Sequence, residues 1–223
     1  MSQTPRDPAR ASKTKPTRRR WWRRLLLPRG TDVLALLVAQ GELTVVGLDA
    51  FKAWSHGEGA EAAKAIRAAD HQAYHARREL LTALQAALST PLDQEDIYVL
   101  SERIDRTLTV ARNTVRESEV LGWTPDAHAA QMGDRVAGGA QALVTGFGLL
   151  RKAPDEAGRQ ADLAGDTVRR VEHDYRTAMA EVIKLGDLRA VFAAQDIYRR
   201  YLAVAESIIA VADRLWFVVL RGA

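Results

Sequence analysis

Apolar residues recur at three- and four-residue intervals from Thr31 to the end of the chain, the period of amphipathic helix throughout. After Pro28-Arg29-Gly30, Thr31 is placed as the N-cap of a first helix that runs to about Ser55 and stops at His56-Gly57. A second helix is predicted from Gly59 to Leu88, with Ala62, Ile66, Ala69, Ala73, Leu80, Leu84 and Leu88 on one stripe. Ser89-Thr90-Pro91-Leu92-Asp93 breaks and caps the chain, with Glu95 and Asp96 in the first turn, where the helix dipole favours acids. A third helix then carries Ile97, Leu100, Ile104, Leu108 and Val115 to Gly122. Pro125-Asp126 opens a fourth that ends near Lys152-Ala153-Pro154, and a fifth runs from Asp155 to Leu185. The last runs from Leu188 to Leu220 with Val191, Ile197, Tyr201, Val204, Ile208, Val211, Leu215 and Val219 on one side. Short connections favour antiparallel neighbours. The prediction is an all-α fold without strands.

Two segments recur. Gln94-Glu95-Asp96-Ile97-Tyr98 is echoed by Ala194-Gln195-Asp196-Ile197-Tyr198, and Ile66 to His71 by Val168 to His173. A second match at a similar spacing argues for a duplicated helical unit. The six long helices are therefore expected as two pseudo-repeated antiparallel three-helix bundles: residues 1–24 as a disordered basic tail, 25–122 as the first unit and 123–223 as the second.

Composition changes this picture at one place. Of 223 residues, 47% are hydrophobic and 27% charged, as in ordinary globular proteins, and a chain of this length can bury a real core. There is no cysteine, which excludes disulfides, thiolate metal sites and thiol nucleophiles and fits a cytoplasmic protein. The net charge of +4 is uneven: residues 1–30 hold ten Lys/Arg and one acid, so the remainder is −5. The apolar stretch Val33–Val46 is interrupted by Gln40 and Glu42, and no membrane span is expected. The apolar run Leu25-Leu26-Leu27 is too short for a secretory signal.

Thr90-Pro91-Leu92-Asp93-Gln94-Glu95-Asp96-Ile97 resembles a signature of PhoU-like proteins, the phosphate transport regulators or accessory proteins encoded beside Pit-type phosphate transporters. Trp22 to Pro28, Val171 to Met179 and Asp196 to Asp213 extend the resemblance over roughly residues 22–220. It implies a PhoU-like fold and a non-enzymatic, cytoplasmic protein, peripheral at the inner face of the membrane. Its role would be in inorganic phosphate uptake with a Pit-type transporter as partner. It also implies surface metal sites built from acids four residues apart, which share a helix face. Here each copy has lost a member. Asp70 is followed by Tyr74, Glu102 by Arg106 with Asp105 one residue early, Glu172 by Arg176, and Glu206 is preceded by Leu202. Asp70, Glu102, Asp105, Glu172 and Glu206 are the candidate ligands for iron or a divalent ion such as manganese or zinc. The alternative use of the same acids is ion pairing with arginines across packed helices.

Other chemistry is sparse. His71 and His75 lie four apart, a zinc-compatible spacing that needs a third ligand. The Asp-Ile-Tyr segments have a structural use as well: Asp at a helix start, Ile in the core, Tyr anchoring a neighbour. No nucleophile elbow or phosphate-binding glycine loop is present, and Gly138-Gly139 and Gly146-Phe147-Gly148 mark close helix approach or irregularity. Arg19, Arg20, Trp21, Trp22, Arg23 and Arg24 have the composition of a membrane-interface anchor. The same segment would also serve as a docked tail or, least favoured, as a nucleic-acid-binding arm. A homo-oligomer is a further partnership to expect.

Overall fold

Local capping chemistry sets where each helix begins and ends. The computed structural model describes residues 32–222, which form α1 (Val33–Ser55), α2 (Gly59–Ala86), α3 (Gln94–Leu121), α4 (Ala127–Leu149), α5 (Pro154–Val182) and α6 (Leu188–Gly222). No strand occurs among the described residues. The cap of α1 is Asp32 rather than Thr31: its Oδ1 accepts from Leu34 N at 3.2 Å and Ala35 N at 3.3 Å. Asp93 caps α3 through Glu95 N at 2.8 Å, and Asp126 caps α4 through His128 N and Ala129 N, each at 3.0 Å. Pro154 opens α5 at a position where its missing N–H costs nothing. At the end of α3, Gly122 adopts φ 64° and its N–H returns to Ser118, a turn that an L side chain would strain. α2 ends at Ala86, two residues before the predicted stop, so Leu88 leaves the apolar stripe and is fully exposed.

The fold is the predicted pair of three-helix bundles. α1, α2 and α3 pack on one another, as do α4, α5 and α6, and the halves are joined along two seams, α1 against α4 and α3 against α6. Both seams are antiparallel. Gly41 on α1 lies under Val144 and Phe147 while Ser55 lies against Gly133, and Asp96 on α3 meets Arg214 while Glu117 meets Arg200. Close approach depends on glycine at selected points. A Cβ on Gly139 would sit 2.5 Å from Val168 Cγ1, and one on Gly146 2.8 Å from Leu215 Cδ2. Gly138 and Gly148, grouped with them by sequence, have room for a side chain.

One core runs through both halves, with Leu37, Phe51, Ile66, Leu100, Ile104, Ile197, Tyr201 and Ile208 all fully buried. Each such large side chain contributes about 1.5–3 kcal/mol of burial. Two polar pairs cross it. Gln40 Nε2 donates to Ser101 O at 2.9 Å while Ser101 Oγ donates back to Gln40 Oε1 at 2.6 Å, locking α1 to α3. Across the halves, Ser55 Oγ and Tyr201 Oη lie 2.7 Å apart beside the Phe51 ring.

The helical repeat and the sequence repeat differ in register. α1 and α4 begin 94 residues apart, as do α3 and α6, whereas the Asp-Ile-Tyr segments are 100 apart. Asp96 is the third residue of α3, but Asp196 is the ninth of α6. The matching segments therefore occupy different turns of corresponding helices.

α1 departs from the sequence expectation in another way. It is long and apolar enough to span a membrane by length and composition, since two polar residues do not outweigh the apolar ones around them; in the bundle Gln40 is buried and Glu42 faces solvent. Its inward side is packed against the other helices of the bundle.

Candidate functional site

A groove of about 600 Å³ lies on the first bundle between α2 and α3. Asp70, His71 and Tyr74 enter it from α2, and Asp105, Thr109 and Arg112 from α3. Arg112 Nη1 donates to Asp70 Oδ2 at 2.6 Å, and Arg77 Nη1 to Asp105 Oδ2 at 3.3 Å. Burial pushes the Asp105 carboxyl up; Arg77 opposes this, and the negative charges of Asp70 and Glu102 add to it. His71 and His75 face each other with Nε2 atoms 3.3 Å apart at the exposed rim.

A second groove, about 440 Å³, follows the α3–α6 seam and holds Glu102 and Glu206 together with Arg103 and Arg106. Glu172 is elsewhere, exposed on α5 and ion-paired with Arg176 one turn on. The five candidate metal ligands are therefore divided among three places. Asp70 and Asp105 share one groove, Glu102 and Glu206 another, and Glu172 neither. Among the described residues no three His, Asp or Glu side chains come together as a metal would need. One oxygen each of Asp70, Asp105 and Glu172 is held by a guanidinium group, and with no third ligand converging on any of them these residues do not fit a metal centre. Arg106 lines the α3–α6 groove beside Glu102, and Arg176 binds Glu172, each standing where the second acid of a pair would be.

The sequence did not reveal the buried clamps between helices. Asp96 is 2% exposed and receives Arg214 at 2.5 Å and Arg221 at 3.3 Å, both from the far end of α6. Both guanidiniums also lie over the Phe217 ring, at 4.8 and 5.5 Å from its centroid. In the second half Asp174 is held by Arg135 of α4. Tyr198 donates its hydroxyl to the capping Asp126 and stands edge-on to Trp123. Burial and that carboxylate push the Tyr198 hydroxyl well above the usual phenol range, so it stays protonated as a donor. The basic i,i+7 pair Arg214/Arg221 was the one available signal for the Asp96 clamp. The interface residues Arg19, Arg20, Trp21, Trp22, Arg23 and Arg24 lie outside the described residues.

The sequence matches no protein-family model and no curated protein. The structure is similar to the crystal structure of a PhoU-like protein from Shewanella oneidensis MR-1, with a TM-score of 0.62 and 16% identity over 85% of this chain and 96% of that one. The fold is PhoU-like. That match covers nearly the whole of the neighbour, so both three-helix bundles take part in it rather than one shared hairpin.

Proposed function

We propose that this protein is a non-enzymatic accessory or regulatory protein for inorganic phosphate uptake, working with a Pit-type phosphate transporter. The observation that carries this reading is the PhoU-like fold, reached at low identity but over nearly the whole length of a PhoU-like protein. The segment Thr90 to Ile97 supports it, since it forms the α2–α3 turn, the Asp93 cap and the buried Asp96 in one unit. The arrangement acts by binding: the α2–α3 groove is lined by paired charges, and the clamps between helices suit a body that presents surfaces to a partner. Arg19, Arg20, Trp21, Trp22, Arg23 and Arg24 would hold it at the inner face of the membrane, where the transporter is embedded.

Two measurements test this. The full chain carrying an affinity tag should retain the transporter from detergent-solubilised membranes, and a deletion strain should show altered phosphate uptake. Unchanged uptake across low and high phosphate would falsify the proposal. Replacing the four arginines and two tryptophans by serine should move the protein from the membrane to the supernatant fraction and leave its helical melting unchanged.

A further inference from the structure

α6 begins where two of its neighbours have already ended. Gly139 lies against Ile208 and Gly146 against Leu215, so α4 and α6 run parallel at a constant offset of 69 residues. Ala127, the first residue of α4, is therefore level with Asp196. Leu121, one turn beyond the Glu117–Arg200 pair, ends antiparallel α3 at the same level. The first eight residues of α6, about 12 Å at 1.5 Å per residue, run past both helices, together with the turn that leads in from α5. On this tip Ile183 is 72% exposed, Leu185 50%, Leu188 70% and Phe192 66%. Leu188 and Phe192 stand four apart, on one helix face. Four large apolar side chains within ten residues form a patch, whereas ordinary surfaces expose such residues singly.

Cations are interleaved with them. Lys184 and Arg189 are both exposed, and the two acids of the tip are engaged locally: Lys184 Nζ donates to Glu181 at 2.7 Å, and the Arg189 amide donates to Asp187 Oδ1 at 2.9 Å at the start of α6. The apolar run that precedes α1 is too short in chain to cover this tip. Leu34 and Gly222 border one small groove, so α1 begins at the end of the bundle where α6 stops. Leu188 lies about 51 Å back along α6 from Gly222. Trp21, eleven residues before Asp32, spans ~40 Å at most when fully extended, and before it Met1 is the one large apolar residue. A second copy is a poor occupant as well. Tip-to-tip pairing would bring Lys184 and Arg189 against their own copies, and the patch offers a few hundred Å² against the roughly 800 Å² per partner of a specific protein interface. A bilayer demands neither a matching shape nor that area. A convex apolar tip with cations beside it suits an anionic membrane surface, where acyl chains lie beneath phosphate headgroups.

We propose that the α5–α6 tip inserts into an anionic lipid surface, with Ile183, Leu185, Leu188 and Phe192 entering the acyl boundary and Lys184 and Arg189 meeting lipid phosphates. It is a second contact, separate from the basic-aromatic segment assigned to the membrane above. Weak anchors that bind reversibly one at a time hold stably in pairs. The inference shares the membrane location of the proposed function and does not depend on the transporter.

The chain has no cysteine, so Leu185→Cys supplies a single thiol for an environment-sensitive fluorophore, and Glu79→Cys on α2 supplies the control. With phosphatidylglycerol vesicles the label at position 185 should shift to the blue and be quenched by nitroxide-bearing acyl chains, while the label at position 79 should do neither. The full chain with serine at positions 19–24 should still bind these vesicles at about 1 mM lipid, as a single weak anchor does. Adding Leu188→Ser and Phe192→Ser, which alter only exposed side chains, should weaken that binding at least about tenfold and leave helical melting unchanged. Adding Lys184→Gln and Arg189→Gln instead should bring phosphatidylglycerol binding down to the level of phosphatidylcholine. Equal binding with and without Leu188 and Phe192 would overturn the proposal, as would an unshifted label at position 185 on vesicles that carry the chain down. A shift that appears with rising protein concentration and no lipid would overturn it in favour of a second copy, and a shift that requires solubilised membrane protein would do so in favour of a protein partner. Phosphate uptake and transporter retention are separate readouts, so failure of either assignment leaves the other standing.

Discussion

Asp96 and Asp196 stand in the same Asp-Ile-Tyr sequence, yet one is buried under two arginines of α6 and the other lies half-exposed, paired with Arg200 one turn along its own helix. Ile97 and Ile197 are both fully buried. The tyrosines invert the order: Tyr98 is 46% exposed, while Tyr198 is buried and bonded to the cap of α4. The shift of register explains the difference. In the first half the triplet opens α3, so its acid meets the far end of antiparallel α6. In the second half it sits two turns inside α6, level with Asp126 and Trp123 at the start of α4, so its tyrosine takes the interhelical bond. Identical residues thus serve opposite ends of the same joint.

Removing the two acids should separate these roles most sharply. Asp96→Ala leaves Arg214 buried against α3 without its counter-charge, and a broken buried pair costs about 3–5 kcal/mol. Asp196→Ala, on an exposed pair within one helix, should cost no more than about 1 kcal/mol. Urea unfolding of the two variants measures the gap; equal losses would mean that Asp96 is solvated rather than clamped.

The tyrosines should show the reverse order at smaller scale. Tyr198→Phe deletes a buried bond to a carboxylate and should cost about 1–3 kcal/mol. Tyr98→Phe should stay within about 0.5 kcal/mol, as for exposed substitutions away from special features. A Tyr98 variant as damaging as the Tyr198 variant would mean that the two triplets are equivalent after all.

The helices were legible because burial follows a local period. Ile66, Ile104, Leu108, Ile208 and Leu215 were assigned to a core by spacing alone, and all are buried. Ends were less so: Asp32 beside Thr31 offers equal capping chemistry, and only the actual turn decides that Asp32 takes the two amides. The electrostatic pairing was hardest to read. Whether Asp70 meets a metal, a histidine or Arg112 depends on how α2 and α3 slide past each other, and single-helix spacing carries no information on that. What spacing did show is loss, since Tyr74 and Arg176 stand where second ligands would be. The arginines that replaced the missing partnership, Arg77 and Arg112, came from other turns and helices.

The buried and exposed acids should also part company with pH, in opposite directions. Asp105 is held above the usual carboxylate range, mainly by burial, so the folded state favours its protonated form. Its charge therefore opposes folding above the folded pKa, and that opposition fades as pH falls toward the unfolded value. Asp105→Asn should accordingly gain stability over the native chain near neutrality and converge with it in acid. Asp32 is held below the usual range by the Arg151 guanidinium, so its contribution is present above the unfolded pKa and is lost as pH falls through the folded one. Asp32→Asn should be the less stable chain near neutrality and should likewise converge with the native chain in acid, its deficit small because the pair is half-exposed. Urea midpoints at a series of pH values distinguish the two. If both variants lose stability at neutral pH, Asp105 belongs with the paired surface acids, and the α2–α3 groove holds its carboxylate charged rather than poised to take up a proton.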